Sequence, residues 1–270
     1  MSTDPPRAPI VIGLELWTVR ELFARDPAGT LAAVKAAGVQ AIEWGYAAAG
    51  EPGTPAASQP LASQVDAIAQ SGLVCVSVYL DPSLDYDAQL KTANRLGARF
   101  GILDCLPGMC EKSPATIEAV HAVAATLTNV GKRCRDQGLL LAYHPHWWEY
   151  RVSGRFRGID LLLDQTDPAL LALELDMGWA HVGGVDIAEM LHRYRGRIPL
   201  VHVKDRDPSR GGGYGHQFVT LGTGRIDYDT LIPVARATGV QHFLLETDAP
   251  ENPMANIRGG VAWFKARPWL

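Results

Sequence analysis

The chain has 270 residues, 47% of them hydrophobic, which is enough to bury a substantial core. Its formal charge of −4, from 25 basic and 29 acidic side chains, gives no general attraction to nucleic acid or to an anionic membrane. The longest apolar runs, such as 73–80, are strand-sized and fall short of the roughly 20 residues a membrane-spanning helix needs. The partner expected on these grounds is a small polar metabolite, with no nucleic acid and no membrane.

The polar, Pro-rich segment 1–9 has no apolar signal core and is expected to be flexible. Short aliphatic runs then predict strands over 10–16, 39–44, 73–80, 98–104, 139–144, 170–176, 198–204 and 241–247. Helical patterns lie between them. Asp26-Pro27 opens one as N-cap and first-turn proline, and Gly38 closes it. Ser113-Pro114 opens another, which runs to Gly138. The turn AAG-V before the second strand recurs as QSG-L, RLG-A, DQG-L and ATG-V before later strands, a βα-repeat signature. Cys75, Cys105, Cys110 and Cys134 form neither a CxxC pair nor a dense framework, and read as free thiols in a reducing cytoplasm.

Strands apolar on both faces imply parallel pairing under a cover of helices. Eight of them alternating with helices, with no linker or composition shift, predict a single (β/α)8 TIM barrel over residues 1–270. An open doubly wound sheet would carry a glycine-rich turn after its first strand, where residues 14–20 read LELWTVR. The one long loop, 206–224, contains GGGYG and reads as a mobile lid in preference to a phosphate cradle.

Alternate residues of a barrel strand face inward, and the last of them reach the catalytic mouth. Strand two ends in Glu43-Trp44. Strand five puts His144 and His146 on one face, with Glu149 just beyond. Strand six ends at Asp176, strand seven puts His202 and Lys204 on one face, and strand eight ends near Glu246. Four consecutive strands thus deliver Glu, Asp or His to one rim. Carboxylates at close range raise one another's pKa unless a cation sits among them. Three carboxylates and an imidazole suit Mn²⁺, Mg²⁺ or Co²⁺, with Mn²⁺ preferred and Zn²⁺ open.

The chain resembles the sugar phosphate isomerase/epimerase family, the xylose isomerase-like TIM barrels. The carrying segments are GLELWTVR (13–20), GVQAIEWG (38–45), YHPHWWEY (143–150), ELDMGWAHVGG (174–184), GRIPLVHVKDR (196–206), LGTGRIDYDTLI (221–232) and FLLETD (243–248). The resemblance implies a metal held by Glu149, Asp176, His202 and Glu246. Many members carry a glutamate at the end of strand five where this chain has His144, so His144 stands as the other strand-five ligand, leaving Glu149 for a substrate or base role. A homo-oligomer is a further implication.

The family's shared chemistry is metal-assisted enolisation: a carbonyl is polarised and the adjacent proton removed. His144 or His146 is the expected base, and Lys204 is placed to steady an enolate oxygen. Glu43, Trp17, Trp179 and Arg206 are expected to contact the substrate, with the tryptophans as walls for a sugar ring. The expected activity is a metal-dependent isomerase or epimerase on a keto sugar or polyol. The alternative is a lyase, an inosose dehydratase or keto-glycoside eliminase, toward which the Tyr-His-x-His segment points. An endonuclease IV-like repair enzyme is disfavoured by the acidic balance, and a non-catalytic subunit by the intact polar groups at all four strand ends.

Overall fold

Every predicted apolar run holds a strand. In the computed structural model, which describes residues 9–45, 60–110 and 114–269, these are β1 (Ile12–Glu15), β2 (Ala41–Trp44), β3 (Val74–Tyr79), β4 (Phe100–Asp104), β5 (Leu140–His144), β6 (Leu171–Asp176), β7 (Leu200–Val203) and β8 (His242–Leu245). Each pairs in parallel with its sequence neighbour, and β8 closes on β1. The result is a closed (β/α)8 barrel. Helices such as Pro27–Ala36, Tyr86–Arg95, Ile117–Asp136 and Tyr228–Thr238 return the chain between strands.

Local chemistry sets the helix ends. Asp26 accepts the backbone N–H of Gly29 at 2.9 Å, with Pro27 opening the helix behind it. Gly38, Gly72, Gly97, Gly138 and Gly239, the glycines of the recurring turn, all take positive φ, between 67° and 109°. Side chains with a Cβ avoid that backbone, so glycine stops these helices. The expected start at Ser113-Pro114 moves: Ser113 lies outside the described residues, as do residues 1–8, and the helix begins at Ile117. There the Thr116 hydroxyl accepts the Ala119 N–H at 3.2 Å and provides the cap.

Two apolar layers hold the barrel. One lies between strands and helices. The other is a floor inside the barrel, where Ala41, Phe100, Ala142, Ala172, Leu200 and Leu244 meet. The floor is full at β1, because a Cβ on Gly13 would stand 2.3 Å from a Leu244 methyl carbon.

The loop after β7 is tethered at its base. Asp205–Arg206 pairs antiparallel with Phe218–Val219. The buried Asp205 carboxylate accepts the backbone N–H groups of Arg206, Gly222, Gly224 and Ile226 at 2.8–3.2 Å. The base of the expected lid is thus fixed, and its glycines 211–213 are exposed at the tip. No helix among the described residues is long and apolar enough to cross a membrane.

Arg197 clamps the underside of β6. Its guanidinium donates to the carbonyls of Leu171 (3.0 Å), Leu163 (2.6 Å) and Thr166 (3.0 Å) and to the Thr166 hydroxyl (2.8 Å). Arg197→Ala leaves these half-buried acceptors without donors and is expected to cost about 2 kcal/mol, read as a lower denaturation midpoint with an unchanged m-value. Arg197→Lys should recover only a fraction, since an ammonium cannot span the same acceptors.

Candidate active site

The period of two places the site. Along β5 the inward file runs Ala142, His144, His146; along β6 it runs Ala172, Glu174, Asp176. Along β7 it runs Leu200, His202, Lys204, and along β8 Leu244, Glu246, Asp248. Each file supplies one apolar residue to the floor and then two polar ones toward the mouth. On β1 and β2, which continue the ring beyond β8, Glu15 follows Gly13 and Glu43 follows Ala41, and the register sets Glu15 beside Glu43.

His202 is the hub. Its Nε2 lies 2.7 Å from Glu43 Oε1 and 3.6 Å from Glu174 Oε1. Its Nδ1 lies 2.7 Å from Glu246 Oε2 and 3.7 Å from Asp176 Oδ2. The Lys204 ammonium touches the same two carboxylates, at 2.9 Å from Asp176 and 2.7 Å from Glu246, and reaches Asp248 at 3.2 Å. His144 packs against the His202 ring, with Nδ1 3.3 Å from Glu174 Oε2. Asp176 divides its oxygens, since Oδ1 accepts the Trp179 N–H at 2.7 Å and caps the helix that follows β6.

Charge inside this closed volume is unbalanced. Six carboxylates (Glu15, Glu43, Glu174, Asp176, Glu246 and Asp248) face the Lys204 ammonium and the His202 imidazolium. Burial disfavours charge on His202, but Glu174, Glu43 and Glu246 hold it charged, well above the usual imidazole range. Burial likewise opposes charge on Asp176 and Glu246. Lys204 and His202 outweigh it, holding Asp176 below the carboxylate range and Glu246 down to about 2. Where burial outweighs a single nearby cation, the shift goes the other way. Burial and Glu174 push Glu43 up to about 7, and burial pushes Asp248 up to about 7 against the pull of Lys204. His144 is held neutral, lowered to about 3 by burial and by the charge on His202.

Asp176, His202 and Glu246 form one group with ligand atoms all within 4.8 Å of one another, and His144, Glu174 and His202 form a second that shares the hub. Both Glu174 oxygens and His144 Nδ1 are buried and make no hydrogen bond. Orphaned acceptors beside an oxygen-rich donor set fit a divalent cation.

The structure thus brings together Asp176, His202, Glu246, His144 and Lys204. Glu149 joins no such group. The short turn Trp148–Tyr150 folds it back under β5, where it accepts the Tyr143 hydroxyl at 2.9 Å and the His146 N–H at 3.0 Å. His146 is half-buried at the mouth, stacked on Trp148. Glu43 lies fully buried behind His202. Trp179 is buried, its ring 5.2 Å from Lys204 Nζ, whereas Trp17 lies under the Arg20 guanidinium. Arg206 is held by Gln217 at 2.7 Å within the hairpin. Glu15, Glu174 and Asp248 escaped the sequence reading. The same alternation that points to Asp176 and Glu246 would have found Glu174 and Asp248, two residues along each file.

Residues 31–267 match the xylose isomerase-like TIM barrel family. The chain belongs to that family. An inosose dehydratase of Geobacillus kaustophilus is 44% identical over 72 residues, 27% of this chain and 23% of that protein. An inosose dehydratase of Clostridium perfringens is 29% identical over 148 residues, 50% of this chain and 49% of that protein. The matches span no more than half the length of these curated relatives. Among solved structures, a sugar phosphate isomerase/epimerase from Parabacteroides distasonis superposes with a TM-score of 0.78 at 20% identity, over 99% of this chain and 98% of that one. The IOLI protein with a bound zinc atom superposes with a TM-score of 0.69 at 15% identity, over 94% of this chain and 96% of that one. At such identities these two structures speak to the fold alone.

Glu149 supplies a pH test. Burial pushes its carboxyl up to about 8 from 4.5, against hydrogen bonds from Tyr143 and the His146 backbone. Between these values the folded state holds a proton that the unfolded chain has released, so stability falls as pH rises, by about 1.4 kcal/mol per unit at most. Glu149→Gln stays neutral and keeps partners for both groups. Its stability should equal that of wild type near pH 4.5 and exceed it increasingly up to about pH 8, as followed by urea denaturation across that range. A pH-independent difference between the two proteins would contradict a protonated Glu149.

Proposed function

We propose that this chain is a divalent-metal-dependent enzyme that enolises a keto sugar or related polyol ketone. The observation that carries the reading is the Asp176–His202–Glu246 group, set beside orphaned buried acceptors at the mouth of the barrel. Asp176, His202 and Glu246 would hold the ion, with His144 and Glu174 adjoining through the shared His202. A bound divalent ion supplies Lewis acidity that polarises a substrate carbonyl and lowers the cost of removing the neighbouring proton. Mn²⁺ suits the oxygen-rich set, and Zn²⁺ is compatible with it.

The protein's own groups do the rest. His146, half-buried at the mouth, accepts the substrate proton, since burial keeps its ring neutral. Lys204, held between Asp176 and Glu246 beneath the Trp179 and Phe218 rings, steadies negative charge developing on the substrate oxygen. Trp179 and Trp148 give the mouth an apolar wall for the carbon face of a polyol. Returning the proton to a different carbon isomerises the substrate, and returning it to the other face epimerises it. Loss of a β-hydroxyl as water makes the same enzyme a dehydratase. That second reading is favoured by one observation of its own, the inosose dehydratases among the curated relatives.

Elemental analysis of purified protein tests the metal. Wild type should carry a near-stoichiometric divalent ion, Asp176→Ala and His202→Ala should lose it, and Glu149→Ala should keep it. A metal-free wild type that takes up no added Mn²⁺ sinks the reading. Incubation in deuterated water with keto sugars and inososes then separates the outcomes: deuterium in an isomeric product marks isomerisation or epimerisation, and a product lighter by water marks elimination.

Glu43 receives His202 Nε2 at 2.7 Å, leaving Nδ1 toward Asp176 and Glu246. A carboxylate behind a ligating histidine fixes its tautomer and raises its basicity, so Glu43→Gln should weaken Mn²⁺ binding about 10- to 100-fold in calorimetric titration. Unchanged affinity would leave Glu43 to another role.

A further inference from the structure

We propose a second cation site at the β4–β5 rim, built by Asp104, Cys105 and His146 and selective for thiophilic ions of the Zn²⁺ and Cd²⁺ class. One ligand atom from each of the three residues lies within 4.8 Å of the others. Cys105 Sγ stands 3.7 Å from His146 Nδ1. With Zn–S about 2.3 Å and Zn–N about 2.0 Å at a tetrahedral angle, sulfur and nitrogen around one zinc stand about 3.5 Å apart. The observed pair already has the length of that edge.

The backbone delivers the thiol there. Cys105 has φ 46°, the one positive value among the described residues other than glycines, and follows Asp104 at the end of β4. In the ladder Asp104 sits opposite His144, so the β5 file carries His146 to the same rim. A second sulfur is at hand, because the Cys110 thiol donates to the Cys105 carbonyl at 3.1 Å. The other two thiols, Cys75 and Cys134, are buried in the core.

The two sites differ in donor chemistry. Carboxylates dominate around His202, whereas the rim offers thiolate, imidazole and carboxylate, a softer set that discriminates against Mn²⁺ and Mg²⁺. Binding at the rim exchanges the Cys105 thiol proton for the metal and occupies Nδ1 of His146. Thiophilic ions in excess of the central site should therefore inhibit, a consequence that rests on the enolising role given to His146. The binding itself does not depend on that role.

The test is equilibrium dialysis of chelator-stripped protein with Zn²⁺, Cd²⁺ and Mn²⁺, with the cadmium–thiolate charge-transfer band as the signature of sulfur ligation. Wild type should bind two Zn²⁺ or Cd²⁺ and one Mn²⁺ and show the band. Cys105→Ser should bind one of each without the band, and Cys110→Ser should keep the band. Asp176→Asn should lose the Mn²⁺ but retain one Cd²⁺ with its band, so failure of the central site and failure of the rim site read differently. No band in wild type, or a band that survives in Cys105→Ser, overturns the proposal, as does its loss in Asp176→Asn. Should Cys105→Ser not fold, His146→Gln keeps the thiol and should lose the second Zn²⁺.

Discussion

Negative charge enclosed in a barrel is the constraint on which the rest of this structure depends. Burying one uncompensated carboxylate costs several kcal/mol, and Glu15, Glu43, Glu174, Asp176, Glu246 and Asp248 share one interior. Two devices limit the cost. His202 is bracketed by Glu43 and Glu246 through opposite ring nitrogens, and Lys204 is shared by Asp176, Glu246 and Asp248. Glu43, which has the His202 imidazolium beside it but not the Lys204 ammonium, is pushed toward its neutral form by burial and by Glu174. Asp176 and Glu246, which both cations hold ionised, are also where a divalent ion fits.

The fold imposes this arrangement through strand geometry. A parallel strand shows every second residue to the interior, so a file with an apolar floor residue must place its next two inward residues above it. Leu200, Ala172 and Leu244 seal the bottom with small or aliphatic groups, and Gly13 leaves room for Leu244. Water is thereby excluded from below, and the polar residues can open only toward the mouth. The register adds lateral order, since Asp176 stands opposite His202, which in turn stands opposite Leu244. The files of β6, β7 and β8 are thus stepped by two residues along the ladder, so that Asp176 pairs with His202 and Glu174 with Leu200.

Sequence patterning carries the barrel well because buried parallel strands are apolar on both faces and end in glycine-stopped helices, a double signal repeated along the chain. Asp176, His202 and Glu246 stand out because each ends an apolar run where a charged group needs a reason to be. Glu15 and Glu174 carry the same information less visibly, lying inside or just ahead of the motifs that draw the eye, and their partners across the barrel follow only from register. Glu149 illustrates a different gap. Spacing from His144 suggests a residue at the rim, but the short turn at Trp148–Tyr150 redirects it onto Tyr143, and three residues of turn leave no periodic trace. The left-handed backbone at Cys105 is equally silent in the sequence, since nothing but glycine announces it.

On the proposed chemistry, isomerisation and dehydration begin with the same proton removed beside the same carbonyl, so the floor layer and the His202 hub serve either outcome. What separates them is the fate of the second group, which must be met by an acid on the far side of the substrate from His146. Asp248, joined to the Lys204 ammonium at 3.2 Å, is proposed here for that part. Burial raises Asp248 to about 7, an acidity from which a carboxyl can donate to a departing hydroxyl or return a proton to carbon. On this reading one polar pair serves either outcome. The choice between them then lies with the substrate, in whether its β-carbon carries a hydroxyl aligned with that pair.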